Sequence, residues 1–417
     1  MIFGCIADDF TGATDLCSSL HRAGQRTYLV TDLHAAPLAI PDVDVVVVAL
    51  KSRAVEPELA VALSLEALDW LQRVGATRCY FKYCSTFDST SKGNIGPVLD
   101  ALADALAVRT TVVCPAHPEQ GRTIYQGHLF VGTSLLAESP MANHPINPMR
   151  DSNVLRLMRA QTLREVTLLP YDIVTEGPGA IRTGLDQCAA EGVSYVVVDA
   201  LDVGHLRAIA EACSDAPLLS GGAGVGWALG AILNPASRPS AAEGVDPSEG
   251  PTVILAGSSS AATRGQISRV LGRVPCLKFD PLAIVRQETS IEGILNWVLG
   301  NLDEQGIVVY ASDDPERVGE IQGLLGTECA STIVEETLGA VARSVVAGGV
   351  RRLVLAGGET SAAIVRELGV GALEICEDLE PGIPWMRSAD ERALVFALKS
   401  GNFGSDALFE KALGITS

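Results

Sequence analysis

Aromatic residues are scarce in this chain, 5% of its 417 residues. Positive charge is scarce too: 31 Lys and Arg stand against 50 Asp and Glu, a formal net charge of −19. A surface so short of cations excludes the broad phosphate-binding face that nucleic acid demands, so no nucleic-acid partner is expected. One nucleotide is a different matter, because backbone N–H groups, a few cations and Mg²⁺ suffice to hold it. No apolar run approaches the ~20 residues of a membrane span, and no membrane partner is expected. There is no C-x-x-C pair among the 10 Cys. Several, such as Cys5 and Cys114, sit in apolar strand-like runs, so buried reduced thiols are expected rather than a metal or redox centre. A basic leader with a small-residue cleavage site is also missing. Together with the thiols, this points to the cytoplasm.

What is present is apolar material for large cores: 47% hydrophobic residues against 19% charged. Short β-branched runs alternate with helical patterns, which predicts an α/β protein with mostly parallel sheets. Strands are expected at 2–7, 27–31, 43–50, 79–82, 111–114, 195–198 and 218–220, and a helix over 11–23 that stops at Gly24. Four consecutive valines, Val45 to Val48, suit a strand covered on both faces. The rhythm breaks at NPASRPSAAEGVDPSEG, residues 234–250, which reads as a linker. It resumes with strands expected at 252–256, 307–310, 353–356 and 393–398. Two α/β domains follow, 1–233 and 251–417.

Four constellations in the first domain carry chemistry. Asp8 and Asp9, in ADDFTGATD from Ala7, fall where a strand gives way to a helix, the usual ligand crevice of an open α/β sheet. Paired carboxylates there can accept hydrogen bonds from sugar hydroxyls, and one can deprotonate a nucleophilic hydroxyl. Asp9 or Thr11 could equally cap the helix. Lys51-Ser52-Arg53 follows the valine strand, where Arg53 could bind a carboxylate bidentately or be a solvated loop charge. The run FKYCSTFDSTSKGN, from Phe81 to Asn94, packs Lys82 and many hydroxyls into one loop that suits a polyhydroxylated anion. A Ser/Thr-rich turn before a capped helix is the plainer alternative. The stretch from Cys114 to Phe130, with His117, Glu119, Arg122 and His128, reads as a long ordered loop, and its His spacing fits no familiar zinc pattern. A further loop, His144 to Asp151, could be a lid or contact segment.

Glycine-rich turns follow several strands. Ser220 to Gly226 precedes a helix expected near Trp227. Gly257-Ser258-Ser259-Ser260 precedes a helix ending near Leu271. Gly357-Gly358-Glu359-Thr360-Ser361 precedes a helix through Leu368, and Lys399-Ser400-Gly401-Asn402-Phe403-Gly404 follows the last strand. Glycine admits a ligand close to the backbone, and a helix N-terminus offers N–H groups to phosphate. None matches a P-loop or a dinucleotide fingerprint. Each alone could be a tight βα turn; clustered in the second domain, they point to a nucleotide.

These segments, with NPMRDSN from Asn147, PGIPW from Pro381 and ALKSGNFG from Ala397, make the chain resemble the four-carbon acid sugar kinases over nearly its whole length. FKYCSTFDST and ALKSGNFG look most like the branch acting on 3-oxo-tetronate, with the threonate and erythronate branches as neighbours. The resemblance implies an N-terminal sugar-acid-binding domain and a C-terminal nucleotide-binding domain. It implies ATP-dependent phosphorylation of the C4 hydroxyl of a four-carbon acid; Mg²⁺ is expected to bridge the ATP phosphates. It places ATP contacts at Ser258, at Gly357, Gly358, Glu359, Thr360 and Ser361, and at Gly401, Asn402, Phe403 and Gly404. Substrate contacts are implied at Asp8 and Asp9, Arg53, and Lys82, Tyr83, Cys84 and Ser85. One departure is visible: SGGAGVG stands where a threonine and serine variant of that turn is expected.

The expected mechanism has Arg53 and Lys82 neutralise the acid's carboxylate, Ser85 and Thr86 bond its hydroxyls, and Asp8 or Asp9 take the proton. Domain closure across the linker would exclude water. The rival classes are a dehydrogenase on a Rossmann-like sheet, which would need a cleaner dinucleotide fingerprint, and a non-catalytic sugar-acid sensor. The residues do not disclose oligomeric state, and a homo-oligomer is compatible with them.

Overall fold

The computed structural model describes residues 2–40, 42–144, 147–233 and 250–415. The chain divides into two compact units, Met1–Leu33 with Leu38–Pro239, and His34–Pro37 with Ser240–Ser417. The expected linker lies outside the described residues except for Gly250.

In the first unit eight strands form one parallel run. Their order is Thr27–Val30, Val45–Ala49, Ile2–Ala7, Ala76–Lys82, Leu218–Gly221, Thr111–Cys114, Tyr195–Val198 and Val166–Leu169. Parallel neighbours need crossovers, and the helices Phe10–Arg22, Pro57–Arg73, Ile95–Ala105 and Val203–Ala212 supply several of them. Val45 to Val48 are all buried, as a strand flanked by Ile2–Ala7 and Thr27–Val30 requires. The register aligns the strand ends: Ala7 lies opposite Ala49 and Lys82, and Gly221 opposite Lys82 and Cys114. The segments that leave these strands therefore emerge along one edge.

The second unit orders its strands Cys276–Lys278, Ile307–Tyr310, Thr252–Ala256, Arg352–Ala356, Val395–Lys399, Ile383–Ser388 and Ala372–Glu380. The first five are parallel and the last two join antiparallel. Ala256 lies opposite Tyr310 and Ala356, and Ala356 opposite Lys399. Ile254, Val308, Val354, Ala397 and Phe409 fill the core beneath them.

Several elements differ from expectation. Cys114–Phe130 is not one loop; it holds a 3₁₀ turn, Pro118–Gln120, and strands Arg122–Tyr125 and His128–Val131, which pair antiparallel. The hairpin Ala372–Glu380 with Ile383–Ser388 was not expected, because Glu374, Glu377, Asp378 and Glu380 break its apolar pattern. Helices begin inside two of the glycine turns, at Ala223 and at Gly358. Only Gly357 of the second turn takes a left-handed backbone, φ 126°; the residues after it are already helical. All ten Cys are free thiols. Among the described residues no helix is long and apolar enough to cross a membrane.

Ile254 is fully buried in the second unit's core. Ile254→Ala should destabilise that unit by about 2–5 kcal/mol, read as a lower unfolding midpoint in urea.

Candidate functional site

At the aligned strand ends of the first unit, Asp9 caps the helix Phe10–Arg22, its Oδ1 accepting the Gly12 N–H at 3.1 Å. The turn after Val45–Ala49 folds onto the neighbouring strand end, with the N–H groups of Ser52 and Arg53 donating to the Asp8 carbonyl at 3.0 and 3.1 Å. This latch aims the Arg53 side chain. Its Nε and Nη2 donate to Asp8 at 2.9 and 2.7 Å, Nη2 also to Asp9 at 2.5 Å, and Nη1 to Asp88 at 3.4 Å. Lys82, buried, holds its Nζ 3.7 Å from Asp9. Asn94 Nδ2 donates to the carbonyls of Ser52 and Val55, both at 2.8 Å, and so fixes the Arg53 loop from below.

Three carboxylates thus surround one guanidinium and one ammonium. Burial pushes Asp8 above the usual carboxylate range, with Arg53 opposing the shift. Burial acts on Asp9 in the same sense, but the charges of Arg53 and Lys82 outweigh it and hold Asp9 below that range. Asp9 is also the more accessible, with its side chain 28% exposed against 7% for Asp8.

The next segment divides. Tyr83 is fully buried, its hydroxyl 3.2 Å from Ser220 Oγ and its ring packed edge-on against Phe81 and Phe87. It belongs to the core rather than to the rim of the site. Cys84 Sγ lies 3.0 Å from Thr86 Oγ1; Thr86 is buried, while Cys84 and Ser85 are half-buried. Phe87 and Asp88 both have positive φ, 62° and 41°, a strained conformation for side chains of this size. At Gly222 a Cβ would stand 2.7 Å from the Pro115 carbonyl and 3.6 Å from Ser85 Cα. The SGGAG turn therefore lies against the Ser85 segment, in the first unit.

In the second unit the strand ends carry three turns that meet. The N–H of Gly257 donates to the Ala356 carbonyl at 3.1 Å and that of Gly357 to the Lys399 carbonyl at 3.0 Å. A Cβ on Gly257 would come within 2.2 Å of Thr360 Oγ1, and one on Gly401 within 2.6 Å of Ser258 Oγ. Only hydrogen side chains allow this approach. The turns wall a cavity of ≈ 290 Å³ that includes Gly257, Ser258, Gly357, Gly358, Glu359, Thr360 and Gly401. Ser361 turns inward, its hydroxyl bonded to the Leu355 carbonyl at 3.3 Å. Asn402, Phe403 and Gly404 continue the third turn as exposed residues. The helix Gly358–Glu367 starts at this cavity and turns its positive dipole end toward it.

Sequence reasoning missed the opposite wall of this cavity, Val318, Ile321, Ala330 and Val334. They lie on two amphipathic helices, Pro315–Leu325 and Thr327–Ala347, whose pattern signals burial and nothing more. It also missed Asp88 and Asn94 as partners of the Arg53 loop, although both stand in the hydroxyl-rich run. Among the described residues no group of three His, Cys, Asp or Glu is placed to hold a metal ion.

Comparisons with known proteins now bear on these two places. Residues 3–229 match the model of a sugar-binding N-terminal domain, and residues 253–409 that of a nucleotide-binding C-terminal domain. A 3-oxo-tetronate kinase of Burkholderia multivorans is 45% identical, covering 99% of this chain and 96% of its own. One of Haemophilus influenzae is 41% identical, covering 99% and 100%. A crystal structure of a Haemophilus influenzae protein superposes with a TM-score of 0.86 at 41% identity, over 99% of this chain and 100% of that one.

A Cβ at Gly12 would stand 1.8 Å from Lys82 Nζ and 2.2 Å from Asp9 Oδ1. Gly12→Ala should therefore displace the ammonium and destabilise the first unit by about 1–3 kcal/mol, measurable as a fall in its thermal midpoint.

Proposed function

Since this chain belongs to the four-carbon acid sugar kinase family, we propose that it transfers the terminal phosphate of ATP to the C4 hydroxyl of 3-oxo-tetronate, giving 3-oxo-tetronate 4-phosphate and ADP. The observation that carries the reading is the meeting of three Gly/Ser turns and a helix start in one cavity, an arrangement suited to a polyphosphate. The substrate follows the names of relatives 41–45% identical over nearly the full length. The ten free thiols suit work in the reducing cytoplasm.

In this reading Asp9 is the base. The charges of Arg53 and Lys82 hold it below the usual carboxylate range while burial pushes Asp8 up, and it is the more open to a ligand. As the C4 oxygen bonds to the γ-phosphorus and the bond to the ADP oxygen breaks, the hydroxyl proton passes to the Asp9 carboxylate. Asp8 has both oxygens on Arg53, so its task is to orient that guanidinium. Arg53 is then largely committed to carboxylates, and Lys82 with Ser85 receives the acid's carboxylate and hydroxyls. Thr86 and Tyr83, both buried, support this segment from behind. Val318, Ile321, Ala330 and Val334 give the adenine an apolar slot, and the glycine turns receive the phosphates. The donor set near the phosphates fits Mg²⁺, which takes one or two carboxylates and otherwise phosphate oxygen and water. Glu359 and the hydroxyls of Thr360 and Ser258 would hold it, and it would offset the charge that builds on the transferred group.

An ADP-release assay across four-carbon acids tests the assignment. It should give the highest kcat/KM with 3-oxo-tetronate; preference for threonate or erythronate would move the chain to a neighbouring branch. Asp9→Asn should lower kcat by about 10²–10⁴ and leave ATP affinity unchanged. Retained turnover in Asp9→Asn, with turnover lost in Asp8→Asn, would transfer the role to Asp8.

A further inference from the structure

Beneath the third turn of the cavity lies a buried cation that the mechanism above does not use. Lys399 closes the strand Val395–Lys399 and is 2% exposed. Its Nζ donates to Thr263 Oγ1 at 2.8 Å, Gln266 Oε1 at 2.7 Å and the Gly401 carbonyl at 3.0 Å. The Phe409 ring lies 5.8 Å away. Every one of these partners is neutral. Charged groups on the surrounding elements include Arg264 and Arg269 on the helix Ala261–Val270, Glu410 and Lys411 on the helix Leu408–Ala412, Glu380 and Arg387 on the hairpin, Arg352 on the paired strand, Glu359, Arg366 and Glu367 on the helix Gly358–Glu367, and Asp406 in the loop. Glu380 and Glu410 are engaged elsewhere: Glu380 by Lys411 and Ser405, and Glu410 by Arg269 and Arg273. No carboxylate among the described residues pairs with Lys399. Desolvation of a charge without an ionic partner is costly, and burial alone brings this ammonium down to about 8.

The same layer turns the loop's carbonyls inward. The Gly401 carbonyl accepts from Lys399, from Thr263 Oγ1 at 2.9 Å and from Ser260 Oγ. Gln266 Nε2 donates to the carbonyls of Phe403, Gly404 and Ser405 at 3.1, 3.3 and 3.0 Å. With these carbonyls occupied from below, the N–H groups of Gly401, Asn402 and Gly404 have no acceptor among the described residues. Backbone N–H groups left without acceptors in a glycine loop form an anion nest.

We propose that Lys399 is a positioning residue of the nucleotide site: it holds the Gly401–Gly404 loop with its N–H groups available to the ATP phosphates, and its uncompensated charge is neutralised by those phosphates when ATP binds. This rests on the assignment of the glycine turns to ATP, and it adds the group that makes the third turn competent. The lack of a carboxylate partner is then functional, because a resident acid would cancel the charge the phosphates meet.

Calorimetric titration of the full chain with ATP and with adenosine, in wild type, Lys399→Gln and Lys399→Met, tests it. Glutamine can still donate to the Gly401 carbonyl but carries no charge. Lys399→Gln should weaken ATP binding roughly 10-fold to 100-fold, the scale of a lost charge-assisted hydrogen bond, and leave adenosine binding unchanged. Lys399→Met should weaken ATP binding further. In wild type, ATP affinity should fall as pH rises through about 8, and that dependence should vanish in Lys399→Gln. Unchanged ATP affinity in a folded Lys399→Gln, equal losses for ATP and adenosine, or a wild-type affinity flat across pH 7–9 would each overturn the proposal. If Lys399→Met does not fold, the glutamine variant and the wild-type pH profile decide. Wild-type protein that binds no ATP would instead sink the underlying nucleotide assignment.

Discussion

The register of the parallel strands is the constraint from which both sites follow. Hydrogen bonding between Ala7, Ala49 and Lys82, and between Ala256, Ala356 and Lys399, brings successive strands to an end at the same level. The chain must then turn, and it does so with backbone groups that the sheet no longer satisfies. A one-residue slip would reverse the facing of every side chain along a strand and would bury Asp8 or Lys399 in a different environment. The valine run and the fully buried core strands resist such a slip.

At its own strand ends each unit solves an opposite electrostatic problem. The first gathers more carboxylate than cation, so its acids compete for Arg53; burial pushes Asp8 up, while the charges of Arg53 and Lys82 hold Asp9 below the usual range. The second provides almost no side-chain charge at its turns. It relies on glycine, hydroxyls and a helix start, with a lysine held among neutral partners below. A net charge of −19 is compatible with polyanion binding because the attraction is local and largely made of oriented backbone.

Much of this was legible in the residues. The strand expectations at 2–7, 111–114, 195–198, 252–256 and 307–310 coincide with strands of the structure, because runs buried on both faces leave an unambiguous apolar signature. The glycine turns could be read as close-approach points: a Cβ on Gly257 would stand 2.2 Å from Thr360 Oγ1 and one on Gly401 2.6 Å from Ser258 Oγ. Other features could not be read. In the sequence Arg53 reads as open to a substrate carboxylate, yet its partners Asp8, Asp9 and Asp88 come from segments that only the fold assembles. Tyr83 follows Lys82 in the motif, yet its ring packs edge-on against Phe81 and Phe87 in the core. The SGGAG turn resembles a phosphate loop by composition, while topology places its strand beside Ala76–Lys82. The far wall of the second unit's cavity comes from helices whose pattern reports burial alone.

The central claim is that the turns around Ser258, Gly357 and Gly401 receive the triphosphate. Hydrogen–deuterium exchange with and without a non-hydrolysable ATP analogue measures it directly. The account predicts slowed amide exchange at 257–260, 357–361 and 401–404 on nucleotide addition. Protection confined to 8–12 and 82–88, or no change anywhere, would contradict it.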